Sequence, residues 1–313
     1  MKTGTLKIFT GNAHKELASE IAFSLNVPLG KATVKPFADG EIYVKIEENV
    51  RGCDAFVIQP TSKSVNHNLV ELSIMIDALK RASADRVTAV LPYYGYARQD
   101  RKAAPREPIT AKLVANLLVA AGADRILTID LHSGQVQGFF DIPLDHLYAL
   151  PIIKKYLKGK KLSNLVIASP DTGGVKRASK LASEMDASIA ILDKRRPKHN
   201  EVAITNIVGE IKGKNVIILD DMIDTAGTMC EAASVLKKAG ALDIYIAATH
   251  AILSPPSVER LNNSPIKEVI VTNSIPIPKD LKVSNLVVLS IAPLLAEAIK
   301  CIHDEESVSV LNK

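Results

Sequence analysis

Val216-Ile217-Ile218-Leu219-Asp220-Asp221-Met222-Ile223-Asp224-Thr225-Ala226-Gly227-Thr228 is the stretch whose reading decides the fold. An apolar, β-branched run predicts a buried strand over 215–220, two acids end it, and a loop of small residues opens a helix predicted over 228–239. Gly240 follows that helix and suits its C-cap. Successive backbone N–H groups of Thr225, Ala226, Gly227 and Thr228 can converge on a phosphate, aided by the positive end of the helix dipole. Gly227 permits close backbone approach, and the two threonine hydroxyls add donors. Asp220 and Asp221 cannot favour an anion. Ionised carboxylates only accept hydrogen bonds, so they suit the hydroxyls of a sugar beside the phosphate, or a metal.

Working outward, similar apolar runs recur at 55–59, 86–91, 125–130, 165–168, 244–249, 268–271 and 286–289. Between several of them lie helical patterns, at 68–83 with Leu69, Leu72, Met75, Ile76 and Leu79 on one face, and at 111–121. Strands alternating with helices predict parallel sheets covered on both faces, the α/β class. A shift of 118 residues superposes Thr110 on Thr228, Leu118 on Leu236, Ala121-Gly122-Ala123 on Ala239-Gly240-Ala241, and His132 on His250. The shared unit is helix, glycine turn and strand. It reads either as the common vocabulary of any such unit or as two similar domains in tandem, with a boundary near 148–151 ahead of a lysine-rich helix over 152–161.

Composition narrows the class. In 313 residues, 47% hydrophobic and 23% charged content excludes a disordered chain, and 16 Gly with 16 Pro excludes a collagen-like one. A net charge of +5 is too small to imply nucleic-acid binding, and aromatics at 4% offer few stacking platforms. Cys53, Cys230 and Cys301 form no paired motif, which fits a reducing, cytoplasmic setting. No signal-peptide pattern opens the sequence, and no apolar stretch approaches the ~18 residues of a membrane span.

Further motifs are Phe37-Ala38-Asp39-Gly40-Glu41, Tyr96-Ala97-Arg98-Gln99-Asp100, Asp130-Leu131-His132, Ser169-Pro170-Asp171-Thr172-Gly173-Gly174 and Asp193-Lys194-Arg195-Arg196-Pro197. Alone, the first reads as a turn before a strand at 42–46, His132 as a structural histidine, and the basic run at 194–199 as a solvated loop or nucleic-acid patch. No GxxxxGK[ST] string occurs, so a Walker-type cradle is absent.

Taken in order, these motifs and the 220–228 loop resemble the ribose-phosphate pyrophosphokinase family of phosphoribosyltransferase-fold proteins. The resemblance implies two tandem phosphoribosyltransferase-like domains, 1–148 and 149–313, each a mostly parallel sheet flanked by helices. It implies transfer of the diphosphoryl group of Mg²⁺–ATP to the 1-hydroxyl of ribose 5-phosphate, giving 5-phosphoribosyl 1-pyrophosphate and AMP for nucleotide biosynthesis. A phosphoribosyltransferase or a non-catalytic regulatory relative are the alternatives. By resemblance Phe37, Asp39, Gly40, Glu41, Arg98 and Gln99 contact ATP, the first four at a neighbouring subunit's site. Asp220, Asp221, Asp224, Thr225, Ala226, Gly227 and Thr228, with Arg196, hold ribose 5-phosphate. Asp171, Thr172, Gly173 and Gly174 form a pyrophosphate loop, and His132 and Asp171 serve Mg²⁺. Lys194 and Arg196 are the implied catalytic pair, on a mobile loop closing over the transferring phosphates. A homo-oligomer, commonly a hexamer, is implied, with neither nucleic acid nor membrane as partner.

Overall fold

The computed structural model describes residues 4–198 and 201–312, with the side chains of 193–205 outside the description. In chain order the elements are β1 (Leu6–Thr10), α1 (Lys15–Ser24), β2 (Ala32–Pro36), β3 (Ile42–Ile46), β4 (Asp54–Ile58), α2 (Val65–Arg81), β5 (Arg86–Leu91), α3 (Thr110–Ala120), β6 (Arg125–Ile129) and β7 (Leu144–Leu147). They continue with α4 (Leu150–Gly159), β8 (Leu165–Ser169), α5 (Val175–Glu184), β9 (Ser188–Lys198), β10 (Glu201–Val208), β11 (Asn215–Ile223), α6 (Gly227–Lys238) and β12 (Ile244–Ala251). The last are α7 (Ser257–Asn262), β13 (Glu268–Thr272), β14 (Leu286–Leu289) and α8 (Ala292–His303).

Two compact units result: Met1–Tyr148 with Ser274–Pro276 and Ser290–Lys313, and Ala149–Asn273 with Ile277–Leu289. The first holds a parallel sheet ordered β1-β4-β5-β6-β7 and a separate antiparallel hairpin, β2-β3. The second holds a sheet ordered β10-β9-β8-β11-β12-β13-β14, parallel except for the β9–β10 ribbon at its edge.

Burial on both faces explains why the strands read as continuous apolar runs rather than alternating ones. In β11, Val216 and Ile218 join Met229, Ala232 and Leu236 of α6 in one core. Their neighbours Ile217 and Leu219 point the other way and join Ile153, Leu157 and Leu181 of α4 and α5. In the first unit, Ala55 and Val57 pack with Leu72, Met75, Leu79 and Leu118. The helix–glycine–strand repeat falls at equivalent places. α3 ends before Gly122 at φ 104°, α6 before Gly240 at φ 91°, and each chain then enters the strand beside the one it left.

One expectation is corrected. The division at 148 places 290–313 with the second domain, whereas Ser290–Lys313 belongs to the first unit. The reason is apolar packing and one charged cluster. α8 packs against α1 with Leu295, Ile299 and Ile302 buried on its side and Leu17 and Ile21 on the other. Asp54, 1% exposed, accepts from Arg86 Nε at 2.8 Å and Nη2 at 2.6 Å, and lies 2.8 Å from His303 Nδ1. Arg86 Nη2 also donates to the Ile302 carbonyl at 2.9 Å, so one guanidinium joins two strands to the end of α8. Cys53, Cys230 and Cys301 are free thiols. Among the described residues no helix is long and apolar enough to cross a membrane.

Arg86→Met leaves the Asp54 carboxylate buried beside His303 alone. It should cost about 3 kcal/mol or more, the usual loss on breaking a buried pair, read as a lower urea midpoint with an unchanged slope.

Candidate active site

Within each unit, several of the sequence-predicted residues lie at the carboxyl ends of parallel strands, where open α/β sheets place ligands. In the second unit, β8 runs into the Asp171–Gly174 loop and its neighbour β11 into the loop at 220–228. The two loops adjoin: a Cβ on Gly174 would lie 2.7 Å from Ser169 Oγ and 3.9 Å from the Leu219 carbonyl oxygen. Asp171 turns one oxygen into its own loop, where Oδ1 accepts from Gly174 N–H at 3.0 Å. That bond shapes the turn into α5 and leaves Oδ2 for other partners. Thr172 and Gly173 are exposed beside it.

Asp220 and Asp221, expected from the sequence to end the strand, lie inside β11, which stays paired with β12 as far as the buried Ile223. Arg177, on α5, was not singled out from the sequence, yet its Nη1 lies 3.4 Å from Asp220 Oδ1 and 3.5 Å from Asp221 Oδ1. The Asp221 N–H donates to Asp220 Oδ1 at 2.9 Å. Burial, then the Asp221 carboxylate, push the Asp220 carboxyl up to about 7, and Arg177 only partly offsets them. Arg177 sits three residues beyond Gly174, so a cation on the first turn of the helix after a Gly-Gly loop is the signal that could have marked it. Past the acids, Ala226 adopts a left-handed conformation at φ 59° and ψ 2°, and α6 opens at Gly227. This αL residue leading into a helix turns successive amides toward one side, the arrangement that binds anions. Arg260, also missed from the sequence, donates from Nη1 to the Thr225 carbonyl at 3.0 Å.

In the first unit, Arg98 and Gln99 follow β5, and His132 follows the adjacent β6. Arg98, Gln99 and His132 are exposed. Gln99 also starts α3: its Oε1 accepts from Thr110 Oγ1 at 2.5 Å and its carbonyl from Ala111 N–H at 3.1 Å. Asp130, at φ 41°, turns the chain out of β6, and Leu131 N–H donates to His146 Nε2 at 2.9 Å. At the carboxyl ends of β1 and β4, buried Glu71 receives Asn12 N–H at 2.6 Å, Asn12 Nδ2 at 2.7 Å and Gln59 Nε2 at 2.7 Å. No motif pointed to this cluster, because its members are far apart in sequence.

Phe37, Asp39, Gly40 and Glu41 form the exposed tip of the β2–β3 hairpin. Phe37 N–H donates to the Glu41 carbonyl at 2.7 Å, Asp39 Oδ1 accepts from Glu41 N–H at 3.0 Å, and Gly40 takes φ 97°. Phe37 remains 51% exposed, meeting Tyr43 edge to face at 5.6 Å. The side chains of Lys194 and Arg196 lie outside the described residues. The backbone at 194–198, read as loop, is instead part of β9, with Lys194 opposite Ile204 and Lys198 opposite Glu201 in β10.

With this geometry established, comparisons with known proteins settle the family. The N-terminal domain of ribose phosphate pyrophosphokinase matches residues 6–122, and the phosphoribosyl synthetase-associated domain matches 180–313. The ribose-phosphate pyrophosphokinase of Bacillus subtilis is 57% identical over 98% of this chain and 96% of its own length. The chain belongs to the ribose-phosphate pyrophosphokinase family. The enzyme of that name from Clostridium perfringens is also 57% identical, over 98% of this chain and 97% of its own. The crystal structure of phosphoribosylpyrophosphate synthetase from Mycobacterium smegmatis superposes with a TM-score of 0.91 at 47% identity, covering 96% of this chain and 99% of that one. The α/β architecture of this chain, with helix-flanked parallel sheets, is that of its family.

The raised Asp220 carboxyl has a sign that can be checked. Between its unfolded value near 3.8 and about 7, the folded chain holds a proton that the unfolded chain releases, so this group's contribution to stability falls as pH rises. Ligand-free Asp220→Asn should match the parent at pH 4 and exceed it at pH 8 by on the order of 4 kcal/mol, measured by urea denaturation at both pH values.

Proposed function

We propose that the protein transfers the diphosphoryl group of ATP to the 1-hydroxyl of ribose 5-phosphate, producing 5-phosphoribosyl 1-pyrophosphate and AMP, in the cytoplasm and in supply of nucleotide biosynthesis. The observation that carries this reading is the adjoining pair of loops in the second unit. One places the acids Asp220 and Asp221 ahead of the left-handed turn at Ala226, and the other presents Asp171–Gly174. Acceptor carboxylates suit the ring hydroxyls of a pentose, while the amides of 225–228 with the Thr225 and Thr228 hydroxyls suit its 5-phosphate. In this reading Asp224 belongs to the same loop, and the exposed amides of Thr172 and Gly173 face the diphosphate.

ATP falls to the first unit's residues. Arg98 offers a planar fork for phosphate oxygens and Gln99 an amide beside it. The half-exposed ring of Phe37 offers a face for a purine, with Asp39 and Glu41 as acceptors for its exocyclic amine, at the site of a neighbouring subunit of a homo-oligomer, a hexamer by family resemblance. Magnesium bound with ATP supplies charge neutralisation at the phosphate oxygens. In the second unit Asp171, with Oδ2 remaining, would serve it, as suits a hard cation that keeps waters and takes other oxygens from phosphates; in the first unit His132 has that role by family resemblance, through water. Lys194 and Arg196 supply the cations that stabilise charge on the transferring group, where positioned charge does most of the catalytic work.

Incubation of the protein with Mg²⁺, ATP and ribose 5-phosphate, with no nucleobase, should yield AMP and 5-phosphoribosyl 1-pyrophosphate in equal amounts by chromatography. ADP as the sole nucleotide product, or a strict requirement for a base, would sink the reading. Lys194→Ala should lose roughly 10³-fold in kcat with the ATP dissociation constant within threefold of the parent.

A further inference from the structure

The loop at 225–228 is held from behind by a residue outside every motif. Arg260, on α7, donates from Nη1 to the carbonyl of Thr225 at 3.0 Å, and α7 packs against α6, the helix this loop opens. The guanidinium also lies close against the next turn of backbone, since a Cβ on Gly227 would stand 3.0 Å from the same Nη1. Arg260, Thr225 and Gly227 line a cavity of about 730 Å³ beside the two helices.

A trans peptide sends its C=O and its N–H in opposite directions. Fixing the Thr225 oxygen on Arg260 therefore fixes the Ala226 N–H on the far side of the same plane. That orientation is not the one the chain prefers locally. Ala226 carries a Cβ at φ 59°, where L-residues other than glycine are disfavoured, and rotating the Thr225–Ala226 peptide would relieve the crowding while turning the amide away. A charge-assisted bond from arginine to the carbonyl opposes that rotation.

We propose that Arg260 is a positioning residue for the phosphate of the sugar substrate: its bond to the Thr225 carbonyl holds the Thr225–Ala226 peptide so that the Ala226 N–H faces the phosphate. This rests on the reading of 224–228 as the ribose 5-phosphate loop. Arg260 touches neither substrate, and its effect is confined to one ligand.

The decisive experiment is steady-state kinetics and calorimetric ribose 5-phosphate titration of the full chain, its Arg260→Met and Arg260→Lys variants, and Arg260→Met in the Ala226→Gly background. Arg260→Met should raise KM and Kd for ribose 5-phosphate about tenfold, the loss of one hydrogen bond to a charged group, with KM for ATP and the melting temperature unchanged. Arg260→Lys should recover part of that loss. Glycine takes the left-handed conformation without steric cost, so relative to Ala226→Gly alone the same Arg260→Met change should cost less than threefold. Parental affinity in Arg260→Met, equal rises in KM for both substrates, or an undiminished tenfold penalty in the Ala226→Gly background would overturn the assignment. Absence of ribose 5-phosphate binding by the parent would instead overturn the reading of the loop and this role with it.

Discussion

Two carboxylates on consecutive residues repel each other, and burial in a strand makes the repulsion harder to relieve. Asp220 and Asp221 nonetheless lie inside β11, with the Arg177 guanidinium near both. The second unit is arranged around sustaining that pair. α5 must begin close to the end of β8 so that Arg177 reaches across to β11, and the Gly174 position permits it, because a side chain there would collide with Ser169 Oγ. Burial and the Asp221 carboxylate favour the protonated form of Asp220. Under the proposed function, sugar hydroxyls, as donors, would answer the same need.

The first unit uses the same succession of strand, helix and strand without such an acid pair. β5, α3 and β6 correspond to β11, α6 and β12, yet the connection into α3 spans 92–109 where the one into α6 spans 224–226. The longer loop is not slack. Tyr94 donates to the Ala111 carbonyl at 2.8 Å, Gly95 N–H donates to Thr61 Oγ1 at 2.7 Å, and Gln99 caps the start of α3. One unit thus has a three-residue turn into its helix and the other an extended surface carrying Arg98 and Gln99. The histidines show the same divergence: His132 stands exposed beyond β6, while His250 is buried inside β12.

Much of the fold was legible because buried parallel strands must be apolar on both faces, and β4, β5, β8, β11, β12 and β13 all read as such runs. β1 was passed over because five residues following a polar start look like an ordinary N-terminus, and α5 because it buries only Ala178, Leu181 and Ala182 among polar and charged neighbours. The turn from β11 into α6 was legible as a strand–loop–helix unit since its residues are contiguous. Arg177, Glu71 and Arg260 were not, because each acts through a partner 30 or more residues away that only the sheet order brings near, as with Arg177 and Asp220, 43 residues apart. The return of 290–313 to the first unit was hidden for the same reason, since an amphipathic helix does not state which neighbour it covers.

That return has a consequence for how the protein is made. Synthesis delivers β1, α1 and the rest of the first sheet early, but the helix that covers α1 and the histidine that meets Asp54 are encoded at the far end. At the usual ~5–20 residues per second, the first unit spends many seconds on the ribosome with Leu17 and Ile21 lacking their cover, while the second emerges in one nearly continuous piece. The unit begun first therefore closes its core only after the second has been made.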